Sequence, residues 1–393
     1  MSAREGHPST LRPGQQTPEQ PAHTLRPQPA LREGALILGI ETSCDETAAS
    51  VVAVEHGRLR VRSNTVSSQN EVHERFAGVV PELASRAHLE RLLPVLHTAL
   101  EQAGATLADV HAIAVGHRPG LIGSLLVGTA AAKALAWSRN LPLLGVDHVA
   151  AHLVAGLLDA EPVQWPALGL VVSGGHTHLL HADSPLHLRV LGRTVDDAVG
   201  EAFDKAAVML NLGYPGGPRL DTASEGGNDA AVSFPLPTLH EQSDRQGRTD
   251  VSPALCFSFS GLKTALLYQV RGVPPVPGRP APPPPAPLTP ERVRDLCASF
   301  QRAAVAQVVD RTRKALVQST TRTLLVGGGV SANRRLRKEL SALAHQHSAE
   351  LRLPPLPYCM DNAAMIAGLA HYRLAADQAD PWWLAPSPRS VVA

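Results

Sequence analysis

Aromatic side chains are scarce in this chain, at 4% of 393 residues. Any core must therefore be filled mainly by Ala, Leu and Val. Hydrophobic residues make up 44%, which is ample for that purpose. The length fits two lobes of ordinary size better than one small domain. An excess of one charge is also missing. The formal net charge is +1, so no overall field announces nucleic acid, although local patches count for more than totals. Two basic clusters exist, Arg311, Arg313 and Lys314, and Arg334, Arg335, Arg337 and Lys338. Each is read first as a solvated helix face. Cysteine is rare as well. Cys44, Cys256, Cys297 and Cys359 form no CxxC pair, which excludes a disulfide framework and a zinc ribbon and suits a reducing cytosol. No apolar run reaches the length of a membrane span, and the N-terminus has no hydrophobic signal core, so a cytoplasmic location is expected.

What is present begins at residue 34. Residues 1–33 are rich in Pro, Gln, Thr and Arg and read as a disordered tail. The run Ala35 to Ile40 then reads as a buried strand, and a polar turn at residues 41–47 leads to strands at 48–54 and 59–66. Strand, tight polar turn, strand, strand is the opening of a ribonuclease-H-like unit. A helix at 81–103 carries Leu89, Leu92, Leu93, Leu96 and Leu100 at helical spacing, with Pro94 expected to kink or interrupt it. Strands at 110–115 and 143–146 flank an Ala-rich helix at 121–137. From Ala167 the pattern starts again, with a strand to Val172, the turn Ser173-Gly174-Gly175 and a strand at 177–181. A helix near 201–210 and a strand at 323–326 follow. A strand-turn-strand opening in each half suggests an internal duplication of fold, with lobes at 34–165 and 166–393. The Pro-dense stretch at 271–290 reads as an exposed insertion, after which Thr289 caps a helix with Pro290 at its first position.

Three glycine turns carry the first chemical signal. Ser173-Gly174-Gly175 follows a strand, where glycines let backbone N–H groups approach an oxyanion. Gly327-Gly328-Gly329 sits between a strand and a helix start, a favourable place for phosphate. Tyr214 to Pro218 adds a third. His148 and His152 stand four apart on a helix, so both rings project from one face at metal-ligand spacing. With 18 histidines, chance alone supplies roughly one such pair. Asp361 is a candidate third ligand, or only a helix cap. A zinc protease needs Glu after the first His, and Val149 stands there. Asp45 and Glu46, adjacent in the first turn, are candidates to accept a proton or hold a hydrated cation, or are plain turn residues.

Longer motifs carry a resemblance. Gly39-Ile40-Glu41-Thr42-Ser43-Cys44-Asp45-Glu46-Thr47, the stretch from Val80 to Arg86, residues 170–177, Gly200 to Lys205, Phe257 to Thr264 and Gly328 to Asn333 occur together and in order. From about residue 36 onward the chain resembles the bacterial tRNA N6-adenosine threonylcarbamoyltransferase (TsaD) family, also known as the glycoprotease or O-sialoglycoprotein endopeptidase-like family. The resemblance implies an α/β, actin-like and Hsp70-like ATPase fold of two lobes around a cleft. It implies transfer of threonylcarbamoyl from threonylcarbamoyl-AMP to the N6 amine of adenosine 37, beside the anticodon, in tRNAs reading codons that begin with A. It puts one divalent metal, usually Fe(2+) and sometimes Zn(2+), on His148, His152 and Asp361. Archaeal relatives have a Tyr ligand where this chain has Val171, so three protein ligands are expected. Substrate or nucleotide (ATP, ADP or threonylcarbamoyl-AMP) contacts fall on Val171, Val172, Ser173, Gly174, Gly175, Asp204, Gly217, Asp221 and Asn333. The resemblance also implies tRNA, the inactive paralogue TsaB and the P-loop ATPase TsaE as partners. The proton-accepting role of Asp45 or Glu46 comes from the chemistry, since the attacking amine must lose a proton. His117-Arg118, the long tail and the Pro-dense stretch depart from the family pattern. A sugar-kinase-like ATPase and a non-catalytic nucleotide-binding scaffold are the alternatives.

Overall fold

The computed structural model describes residues 33–76, 78–236, 251–275 and 282–392. The tail read at residues 1–33 lies, but for Glu33, outside them, as does the middle of the Pro-dense stretch.

The first sheet is built from β1 (Leu36–Glu41), β2 (Glu46–Glu55), β3 (Arg58–Ser68), β4 (Val110–Arg118) and β5 (Leu143–Asp147), in the order β3-β2-β1-β4-β5. β2 is antiparallel to both β1 and β3, while β1, β4 and β5 run parallel. The second sheet uses β6 (Ala167–Val172), β7 (Thr177–Ser184), β8 (His187–Arg193), β9 (Thr323–Gly327) and β10 (Glu350–Arg352), in the order β10-β9-β6-β7-β8. Its pairings repeat those of the first: β6-β7 and β7-β8 antiparallel, β6-β9 and β9-β10 parallel. The duplication suggested by the sequence pattern is thus present in the topology.

The local reasons are simple. β1 and β6 are near-continuous apolar runs because helices and strands cover both faces. β8 is not evident from the sequence because exposed His187 and Arg189 and half-buried Arg193 break its apolar run, and β10 because it has three residues.

Around the sheets lie α1 (Asn70–His73), α2 (Pro81–Gln102), α3 (Ile122–Arg139), α4 (His148–Val154), α5 (Val199–Met209), α6 (Gly216–Ala223), α7 (Ser260–Arg271), α8 (Pro290–Ser319), α9 (Arg334–Gln346) and α10 (Ala363–Ala375). The helix expected at 81–103 runs unbroken through Pro94. Ala84, Leu92, Val95, Leu96 and Ala99 anchor it against the sheet on both sides of the missing donor. Its predicted stripe is split, however: Leu89 and Leu93 are 67% and 71% exposed. Thr289 caps α8 as expected, accepting from Arg292 N at 3.2 Å. α10, although last in the chain, packs against β1, β2 and β4 of the first sheet. That return brings residue 361 back to the ends of the first sheet's strands.

Candidate active site

β5 ends at Asp147, whose carboxylate caps α4 by accepting from Val149 N at 3.0 Å and Ala150 N at 3.3 Å. The cap fixes the helix start at the carboxyl edge of the parallel strands, where α/β sites form. His148 and His152 then lie one turn apart on the same face, with ring centroids 4.6 Å apart. Asn362 caps α10 through Met365 N at 3.0 Å and so holds the preceding residue, Asp361, over the rings. Asp361 Oδ1 lies 3.4 Å from Nε2 of each histidine. One donor atom from each of the three residues falls within 4.8 Å of the others, so together they could hold a metal ion. Wholly buried His152 has no hydrogen-bond partner at Nδ1 among the described residues, and its Nε2 meets only the Asp361 carboxylate at 3.4 Å. An orphaned buried imidazole facing a carboxylate fits a cation between them. Burial alone would lower the pKa of His148, but Asp361 and Glu41 outweigh it and raise it well above the ordinary value. The site therefore favours positive charge, whether proton or metal ion.

The β1–β2 turn faces this cluster. Asp45 and Glu46 are buried, and burial, then Asp45 and Asp361, push the Glu46 carboxyl well above the usual carboxylate range. His88 brackets the turn from beneath, with Nε2 3.1 Å from Cys44 O and Nδ1 2.7 Å from Thr47 Oγ1. Tyr214, on the loop before α6, reaches across to Asp45 Oδ2 at 3.5 Å.

The glycine turns back onto the same place. A Cβ on Gly327 would lie 2.0 Å from the carbonyl oxygen of His152, so only glycine lets this turn approach α4. Ser173 N donates to His176 O at 2.8 Å and His176 N to Ser173 Oγ at 3.1 Å, closing the second turn. Gly174, Gly175 and Gly217 look into open space. Val171 and Val172 are wholly buried in β6. Asp204 Oδ1 accepts from Gly216 N at 2.8 Å and Gly217 N at 3.1 Å. Asp221 is gripped by Gln301 at 2.8 Å, Asn333 at 3.4 Å and Arg334 at 2.8 Å. Beside it opens a cavity of about 400 Å³ lined by Ser224, Gln301, Arg334 and Lys338, among others.

Two residues of the site stand inside the motifs quoted above but are given no role by the sequence reading. Glu41 holds His148 from behind, and half-buried His176 sits in the serine-glycine turn. Burial, then His178, His148 and His152, push the pKa of His176 down to about 3. Most of the two basic clusters is paired locally. Asp310 binds Arg311, Arg313 and Lys314, while Arg334 and Arg335 bind Asp221, Glu225, Asp229 and Glu339. Arg118 lies 3.7 Å from Asp147.

Two lobes of matching ribonuclease-H-like topology, meeting at a histidine–carboxylate cluster and glycine turns, define a protein of the actin-like ATPase fold class. HypF from T. kodakarensis shares that fold, with a TM-score of 0.53 at 14% identity over 88% of this chain and 48% of that one. The family description "tRNA N6-adenosine threonylcarbamoyltransferase" (TsaD) matches residues 60–368. A protein so named from Trichlorobacter lovleyi is 49% identical over 84% of this chain and 90% of its own length. Another from Symbiobacterium thermophilum is 48% identical over 87% of this chain and 92% of its own. The chain belongs to this family and is an acyltransferase. Neither the kinase-like nor the scaffold alternative is favoured by that membership.

Proposed function

We propose that the cleft between lobes 34–165 and 166–393 transfers threonylcarbamoyl from threonylcarbamoyl-AMP to N6 of adenosine 37 in tRNAs reading codons that begin with A. The observation carrying this reading is the contiguity of the His148, His152 and Asp361 cluster with both the buried carboxylate turn and the glycine turns. The amine nitrogen attacks the carbamoyl carbon, the bond from that carbon to the phosphate oxygen breaks, and AMP leaves with the electron pair. The amine proton passes to Asp45 or Glu46; burial raises the proton affinity of the Glu46 carboxylate, which suits a base. Backbone N–H groups at Ser173, Gly174 and Gly175 hold the phosphate, and Asp204, Gly217, Asp221 and Asn333 position the nucleotide, with Val171 and Val172 as the buried floor.

The three ligands suit one divalent ion, Fe(2+) first and Zn(2+) second, since imidazole serves both. When bound, such an ion polarises the carbonyl or grips the threonine carboxylate. Replacing Asp45 by Asn and Glu46 by Gln, followed by single-turnover transfer, tests the base. Unchanged rates in both would remove the pair from the mechanism.

tRNA binding normally needs several phosphate contacts. Five of the seven side chains of the basic clusters are occupied by nearby carboxylates, so a partner surface supplies the rest. TsaB docks on the packed helices α2 and α3, where Leu89, Leu93, Ile122 and Leu126 stand exposed. TsaE completes the assembly. A cytoplasmic setting fits four widely spaced cysteines with no CxxC pair, and no helix among the described residues is long and apolar enough to cross a membrane.

A further inference from the structure

The two histidines of the cluster are held differently. His152 has no partner behind it, whereas His148 Nδ1 lies 3.1 Å from Glu41 Oε2 and 3.3 Å from Ser43 Oγ. Glu41 is 0% exposed at the end of β1, and its other oxygen, Oε1, accepts from Ser43 N at 2.5 Å. A carboxylate oxygen cannot sit at hydrogen-bond distance from a ring lone pair without repulsion. A proton therefore sits on Nδ1, which leaves Nε2 as the nitrogen facing Asp361 and free to bind an ion placed between them. Glu41 reaches this position because residue 116, on neighbouring β4, is glycine. A Cβ there would lie 2.3 Å from Glu41 Oε2.

We propose that Glu41 is a positioning residue that fixes the tautomer and orientation of His148 for metal binding, and that Gly116 provides its seat. The inference rests on the metal reading of the cluster. Carboxylates behind a ligating imidazole raise its basicity and pin its ring, and losing one typically weakens metal binding ~10- to 100-fold. His148 is then the ordered ligand, and His152 the one whose ring is free to adjust.

The test uses the full chain with Zn(2+) as probe. Dissociation constants come from competition with a chromophoric chelator, for wild type, Glu41→Gln and Gly116→Ala. Melting of the metal-free proteins is measured alongside, because a merely structural role would move it. The expected result is a loss of about 10- to 100-fold in both variants with little change in melting. The side-chain ¹⁵N spectrum of the zinc-loaded wild type should show His148 protonated at Nδ1 and bound through Nε2. Wild-type affinity in each variant that folds, or a His148 proton on Nε2 in the zinc-loaded wild type, overturns the proposal. Failure of the wild type to bind zinc, iron or any divalent ion would bring down the metal reading itself.

Discussion

The two sheets share one pattern of strand pairing but are filled and used differently. The core of the first, around Leu38, Ile40, Val51 and Ile113, contains no Phe among its buried residues. That of the second gathers Phe203, Phe234, Phe257, Phe259 and Phe300. The first lobe also buries Glu41, Asp45, Glu46, Gln69, His73 and His88 at one end of its sheet, where charge can be held beside a cation. The second offers turns of serine and glycine there. One topology, used twice, thus carries reactive side chains in one lobe and bare backbone donors in the other. In the function proposed above, ion chemistry falls to the first, against which α10 packs the Asp361 segment, and nucleotide cradling to the second.

The sharpest way to break this division is at the cluster. Asp361→Ala should abolish stoichiometric metal and reduce transfer by more than ~100-fold, because ligand loss exceeds the loss of a group behind a ligand; metal analysis and single-turnover rates check it. Next in size is the packing contrast. Phe300→Ala, which removes a ring packed on Phe203 and Phe234, should cost about 3–5 kcal/mol in urea unfolding, with metal content per folded chain unchanged. A smaller effect is expected in the glycine loop. Asp204→Ala frees Gly216 N and Gly217 N and should weaken nucleotide binding about tenfold by calorimetry while leaving metal content intact.

The smallest effect depends on pH. Burial alone would raise the Asp197 carboxyl, but its bonds to Lys263 and Lys205 outweigh that and lower it. A depressed folded pKa gives stability that is present above the unfolded value and lost as pH falls through the folded one. Asp197→Asn should therefore be less stable than wild type at pH 7, by about 1 kcal/mol after solvent screening. The gap should close as pH falls from about 5 toward 3.

Much of the fold is legible in the sequence. The apolar runs of β1 and β6 and the repeated strand-turn-strand opening point to the duplication, since a short continuous apolar run between polar turns suits a strand covered on both faces. His148 and His152 are visible as a pair only because four residues make about one helical turn. Their weight comes from the motifs around them rather than from spacing. Glu41 stands inside one of those motifs, but its role needs His148, 107 residues away, and the missing Cβ of Gly116. No local pattern reports such a contact. The outward turn of Leu89 and Leu93 is hidden for a similar reason. Periodicity shows that a helix has an apolar stripe, but not how wide a stripe its own sheet will cover.

If this metal-bearing cleft performs the transfer, the product must depend on the cluster. The most direct test is nucleoside analysis of tRNA after incubation with threonylcarbamoyl-AMP and metal-loaded protein, in the presence and absence of TsaB and TsaE, for wild type and for His148→Ala. Threonylcarbamoyladenosine should form at adenosine 37 with wild type and fall to background with the variant. Equal yields from the two proteins, or none from the complete wild-type assembly, would contradict the account.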